Sequence, residues 1–179
     1  KSFVKGMISE HDLIIAQANN PGVLIKEIKR ASNGKDLKSI RERLTELIQN
    51  SIHKNIPLSN IHNIASEINL AILKRAVELS ILDLGSPPAR FAWLSIGSQG
   101  RKEQLLLTDQ DSILIFEDVL PDKYRDVRDY FLKLGKKATL ILEKVGYELC
   151  PNGHMASNML WCKSLTDWTQ QFNSWMNPP

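Results

Sequence analysis

An α+β fold, with a helical bundle leading into a small mixed-sheet α/β domain, is predicted by three observations. Apolar residues recur at three- and four-residue steps through residues 37–79. Short strand-forming runs appear only after a Gly85-Ser86-Pro87-Pro88 break, and a long amphipathic stretch follows them. A length of 179 residues, 42% hydrophobic and 24% charged, is that of a globular chain able to bury a core.

Residues 1–20 read as a tail and linker, and the chain, which starts at Lys1, reads as a piece of a longer one. Asn19-Asn20-Pro21-Gly22 and Ala31-Ser32-Asn33-Gly34 are turn signals that mark off the first helical segment. Leu37, Ile40, Leu44, Leu47 and Ile48 then share one helical stripe, with Asp36 available as a cap. Ser59 can start a longer helix whose stripe is Ile61, Ile64, Ala65, Ile68, Ile72, Ala76 and Leu79. The opposite faces are polar, so these helices need partners. Tandem prolines remove two donors and stop helical propagation. The main boundary is therefore expected there, with a bundle over residues 21–88 and an α/β domain over residues 89–179.

Residues 91–96 (Phe-Ala-Trp-Leu-Ser-Ile) predict a strand closed by Gly97-Ser98-Gln99-Gly100, and residues 112–116 predict a second. Tyr124, Val127, Phe131, Leu134, Ala138, Ile141 and Val145 mark the long helix, which Gly146 breaks. Tyr147-Glu148-Leu149-Cys150 is expected as a third strand before Pro151-Asn152-Gly153 turns the chain. A last helix should start at Ser164 with Asp167 as a capping-box variant. Its apolar face of Leu165, Trp168, Phe172, Trp175 and Met176 reads as core or docking face.

Composition narrows function. No run approaches the ~20 apolar residues of a membrane span and no signal peptide is visible, so a soluble, cytoplasmic setting is expected. Two cysteines, Cys150 and Cys162, make neither a disulfide framework nor a zinc site, and Cys150 is expected as a buried thiol. His11, His53, His62 and His154 share no ligand spacing and read as ordinary polar residues. The net charge of +3 lies in residues 1–88, with 12 Lys/Arg against 9 Asp/Glu; residues 89–179 hold 11 against 11. Neither half has the basic face that nucleic acid requires.

One stretch carries chemistry. Asp109 and Asp111 lead into a strand, where residues two apart face the same side. Two carboxylates ~6 Å apart repel by about 3 kcal/mol at an effective dielectric of ~20. That repulsion is a reason to supply a cation, and magnesium takes one or two protein carboxylates while keeping positions for water and phosphate. For an isolated Asp-x-Asp, a solvated surface pair is the commoner case. Ahead of it, Gly97 and Gly100 let backbone approach a ligand, Ser98 adds a hydroxyl, and Arg101 and Lys102 add positive charge. By itself such a stretch is more often a plain turn. It is not a P-loop, which needs Gly-Lys-Ser/Thr, nor an EF-hand, since Ile113 occupies the next ligand position.

Taken together, Gly97-Ser98-Gln99-Gly100-Arg101-Lys102-Glu103 and Thr108-Asp109-Gln110-Asp111 resemble the signature of the DNA polymerase beta-like nucleotidyltransferase superfamily. Within it they are similar to the N-terminal domain of protein-PII uridylyltransferase and to relatives that follow cyclic-nucleotide-binding and CBS domains in bacterial signalling proteins. Gly146-Tyr147-Glu148-Leu149-Cys150-Pro151, Met155-Ala156-Ser157-Asn158 and Trp161 extend the likeness, which covers roughly residues 36–177. The resemblance implies a nucleotidyltransferase-type domain that transfers a nucleotidyl group from a nucleoside triphosphate, with Mg2+ or Mn2+ as cofactor. It implies Asp109 and Asp111 as catalytic metal ligands, and Gly97, Ser98, Gly100 and Arg101 as triphosphate contacts. The acceptor would be a small molecule or a protein hydroxyl, as on a PII-like regulator. Glu103 reads as structural, pairing with a nearby base. Superfamily members generally draw a third carboxylate from a later strand; Glu148 or Cys150 occupies that place here, which leaves a nucleotide-sensing or protein-interaction module without catalysis as the alternative. Val4-Lys5-Gly6-Met7-Ile8-Ser9-Glu10-His11-Asp12-Leu13 resembles the tail of a CBS domain, implying such domains upstream. Ser9 and Asp12 would serve there as a plain helix cap.

Overall fold

Asparagines start the first two helices of the computed structural model, which describes residues 20–106 and 109–177. Asn20 Oδ1 accepts from the Gly22 amide at 2.9 Å and opens α1 (Pro21–Arg30), with Pro21 where a missing donor costs nothing. Asn33 Oδ1 accepts from the amides of Lys35 and Asp36 and opens α2 (Gly34–His53). The expected cap at Asp36 is thus displaced by three residues. Asp36 instead reaches back to the amide and hydroxyl of Ser32, at 2.8 and 3.0 Å, and these donors hold its carboxyl below the usual range. The third helix, α3 (Leu58–Leu84), begins one residue ahead of Ser59, without a side-chain cap, and stops at Gly85 with φ 89°.

The predicted stripes are the buried ones. Leu37, Ile40, Leu44 and Ile48 of α2 meet Ile61, Ala65, Ile68, Ile72 and Ala76 of α3 and Leu24 and Ile28 of α1. Leu47, Ile64 and Leu79 pack at the margin. Leu142, Val145 and Tyr147, from the far side of the double-proline break, complete this core.

The sheet has three strands in the order β1-β2-β3. Strand β1 (Phe91–Ser95) runs antiparallel to β2 (Ser112–Phe116), pairing Phe91 with Phe116 and Ser95 with Ser112. The third strand corrects an expectation. It is β3 (Cys162–Ser164), parallel to β2 with Leu114 opposite Cys162, and not residues 147–150. After Gly146, in the left-handed conformation at φ 108°, the chain makes one isolated bridge, Glu148 to Asp109. Pro151 then offers no donor, and Gly153 at φ 68° turns the chain away.

Between β2 and β3 runs α5 (Pro121–Val145), numbered after the single-turn α4 (Gly97–Gly100). Its Val127, Phe131, Leu134 and Ala138 lie against Leu114, Phe116 and Cys162, with Phe131 stacked on Phe116 at 5.3 Å. The same helix therefore floors the sheet with its first half and seals the helical core with its second. Gly135 makes room on α5 for the loop at Ala156: a Cβ there would stand 2.4 Å from the Ala156 carbonyl oxygen.

Ser164 caps α6 (Leu165–Met176) through the Asp167 amide at 3.2 Å, while the Asp167 carboxylate accepts from the Tyr124 hydroxyl. Of the apolar face of α6 only Trp168 is core, its Nε1 donating to Leu114 O at 3.0 Å. Phe172, Trp175 and Met176 remain exposed. Among the described residues no helix is long and apolar enough to cross a membrane. The stretch resembling a CBS tail lies outside the described residues.

Because the obstacle facing Gly135 is backbone, Gly135→Ala should destabilise the fold by about 1–3 kcal/mol. A lower urea midpoint at unchanged slope would register it.

Candidate active site

The turn after β1 and the acidic segment before β2 close on each other. Gly100 N–H donates to Ile96 O at 3.0 Å, Arg101 N–H to Gly97 O at 3.2 Å and Glu103 N–H to Ser98 O at 2.9 Å. Two residues take left-handed backbone to do this, Gly97 at φ 59° and Lys102 at φ 60°. Gly100 also needs its bare α-carbon, since a Cβ would lie 2.8 Å from Ser95 O.

Both aspartates meet this turn. Asp111 Oδ2 lies 2.1 Å from where a Cβ on residue 97 would be, so the carboxylate occupies the space a side chain would fill. Ser98 Oγ donates to Asp109 Oδ1 at 3.3 Å. Ile96 N–H donates to Asp111 O at 3.1 Å and extends the β1–β2 ladder into the acidic segment.

Two glutamines hold the segment in place. Gln104, only 3% exposed, gives its Nε2 to Asp109 O at 3.0 Å and to Asp109 Oδ1 at 3.3 Å. Gln110 is buried and points away from its acidic neighbours, donating to Thr139 O of α5 and to Tyr147 O. Arg41 of α2 donates to Leu106 O at 3.0 Å and lies over the Tyr147 ring, whose hydroxyl donates to Asn69 of α3 at 2.8 Å. Burial pushes the Tyr147 hydroxyl well above its ordinary value.

Arg101 turns to a different acid. Its guanidinium pairs with Glu103 at 2.8 Å, and both side chains are largely exposed. Glu103 thus pairs with the nearby base, as expected. Thr108 lies outside the described residues.

Glu148 sits opposite Asp109 in the parallel bridge, and its carbonyl accepts from Gln110 N–H at 3.0 Å. Its side chain is exposed. Two residues further on, beside Asp111, stands Cys150. Asp111, Cys150 and His154 offer ligand atoms that all lie within 4.8 Å of one another, the one such group of three among the described residues. Sequence reasoning missed this cluster, because Cys150 and His154 are brought to Asp111 by a turn and not by a ligand motif within one element. Cys150 is buried, and burial, together with Asp111 beside it, pushes its thiol up; the neighbouring amides of His154 and Asn152 pull the other way. The His154 ring packs on Trp161 at 4.5 Å between centroids.

Beside the turn, a cleft of about 590 Å³ opens between α3 and β1. Three of its lining side chains, Ser66 Oγ, Trp93 Nε1 and Gln99 Nε2, hold buried polar atoms with no hydrogen-bond partner among the described residues. Its volume is that of a small-ligand pocket.

Residues 42–179 match the family model described as Putative nucleotidyltransferase DUF294. The chain belongs to this family. The match begins inside α2, so the family unit includes helices of the bundle as well as the sheet. Neither the comparison with curated proteins nor that with solved structures finds a match.

Raised above the ordinary thiol value of 9.0, Cys150 is protonated at neutral pH. Its alkylation should be slow at neutral pH and accelerate only as pH rises past that value. Asp111→Asn removes an interaction that raises the thiol and should bring this acceleration to lower pH. Peptide mapping after iodoacetamide treatment separates Cys150 from Cys162, whose burial pushes its thiol to about 12.

Proposed function

We propose that this chain is a metal-dependent nucleotidyltransferase, passing a nucleotidyl group from a nucleoside triphosphate to a hydroxyl of a protein or small molecule. The observation that carries the proposal is the meeting of both aspartates with one glycine turn, Asp111 against Gly97 and Asp109 against Ser98. A pair of carboxylates beside a turn rich in backbone donors suits a hard divalent cation, magnesium or manganese, with positions left for water and phosphate. Asp109 and Asp111 would hold that ion, which when bound would offset their repulsion and draw charge from the triphosphate.

The chain's own residues do the rest. Gly97, Ser98 and Gly100 let phosphate oxygens approach the backbone, and the Ser98 hydroxyl can turn from Asp109 to a phosphate. Arg101, tethered by Glu103, supplies positive charge at the rim. The cleft beside the turn takes the nucleoside or the acceptor, where Ser66, Trp93 and Gln99 gain the hydrogen bonds they lack. In the transfer the acceptor oxygen bonds to the α-phosphorus as the bond to pyrophosphate breaks. Glu148, exposed and bridged to Asp109, is a candidate to take the acceptor's proton.

The likeness of Gly100-Arg101-Lys102-Glu103 and Thr108-Asp109-Gln110-Asp111 to protein-PII uridylyltransferase supports a PII-like protein as acceptor. We place residues 21–88 as a bundle ahead of a transferase domain at 89–179, following CBS domains in a cytoplasmic signalling protein. A second reading, a nucleotide sensor without catalysis, is favoured by the cysteine that stands beside Asp111 where a third acid would complete the site.

Replacing Asp109 and Asp111 together by Asn should abolish magnesium-dependent triphosphate binding in calorimetry. Unchanged affinity would reject transferase and sensor alike. Pyrophosphate release on adding acceptor supports transfer; binding without release supports the sensor. Gly97→Ala, which drives a methyl group into Asp111, should weaken the same binding by about tenfold or more, ~1.4 kcal/mol.

A further inference from the structure

The loop after Glu148 does more than close the fold. After Cys150 the chain turns back on itself, so that His154, four residues on, stands beside it. That turn depends on Gly153 at φ 68° and on its N–H donating to Cys150 O at 2.9 Å. The same turn brings the His154 ring to the sulfur, with ligand atoms of the two within 4.8 Å.

The loop is fixed on several sides. Ser112 N–H donates to His154 O at 2.9 Å, and Ala156 N–H donates to Ser112 Oγ at 3.1 Å. Trp161 supports the His154 ring, and Gly135 admits the loop onto α5. Asp111, next to Ser112, is therefore held against Cys150 and His154 by the start of β2. Ligand atoms on one zinc ion, at ~2.0–2.3 Å from it, lie no more than about 4.6 Å apart. A group already within 4.8 Å closes on such an ion with small side-chain rotations.

We propose that Asp111, Cys150 and His154 form a binding site for a borderline, thiol-seeking divalent cation of the zinc class, with the fourth position open to water or a substrate oxygen. One carboxylate, one thiolate and one imidazole select such ions over magnesium, which prefers oxygen alone. On binding, Cys150 loses its proton to solvent and the ion takes that proton's place between sulfur and carboxylate. The site requires neither Asp109 nor a nucleotide, so it goes beyond the transferase reading. Because Asp111 is common to both, a zinc-class ion at this site withdraws one ligand from the Asp109–Asp111 pair.

Cobalt(II) and zinc titrations of the full chain test this. One equivalent of cobalt should produce a thiolate-to-cobalt charge-transfer band in the near ultraviolet, removed by adding zinc. Cys150→Ser should abolish the band. Cys150→Ser and His154→Ala should each lower zinc affinity by about a hundredfold or more, beyond the ~10–100-fold of an outer-shell loss. Asp109→Asn should leave zinc affinity unchanged while removing magnesium-dependent triphosphate binding, which separates failure of this site from failure of the transferase reading. Melting curves in chelator show which variants fold; if Cys150→Ser does not, His154→Ala decides. Absence of the band in the wild-type chain, or zinc affinity unmoved in a folded Cys150 or His154 variant, overturns the site.

Discussion

Residue 97 has no side chain, and Asp111 occupies the room this leaves. A carboxylate oxygen stands 2.1 Å from where a Cβ would sit, so the turn and the acidic segment can pack at this distance only around glycine. The other contacts depend on that approach. Ile96 can reach the Asp111 carbonyl, Ser98 can reach Asp109, and Gln104 can fold under the segment to bind its backbone. Two acids that would repel each other in open water are thereby fixed beside one turn.

The acids are also tied to the helical half. Gln110 anchors the segment to α5 and to Tyr147. Tyr147 in turn is fixed by Asn69 of α3 and covered by Arg41 of α2. A buried hydroxyl left without an acceptor would cost about 1–3 kcal/mol, so this polar chain holds the bundle and the acidic segment in one geometry. Helix α5 does the same with apolar contacts, lending one half of its length to each core.

Much of this was legible in the residues. Helical stripes, the double-proline break, β1, β2, α5 and the start of α6 follow from periodicity and turn chemistry, which are local properties. The third strand was not, because Cys162–Ser164 is three residues long and becomes a strand only by lying beside Leu114–Phe116. Asp36 looked like a cap, yet Asn33, three residues earlier, already satisfies the orphan amides. At the site, Asp109, Asp111, Gly97 and Ser98 were visible as neighbours in one short stretch. Cys150 and His154 were not, since their nearness to Asp111 depends on a helix of 25 residues returning the chain to β2. The glutamines were equally silent: burial is what makes Gln104 and Gln110 structural, and burial is not written in a polar side chain.

The ring contact between Trp161 and His154 has an optical consequence. Indole emission responds to small changes in what is stacked on the ring. Trp161 therefore serves as a native gauge of the loop's position, although Trp168 and Trp175 pack on it at 5.9 and 6.3 Å. Comparing the emission with that of a chain lacking Trp161 isolates its share from the other three tryptophans, with no attached dye.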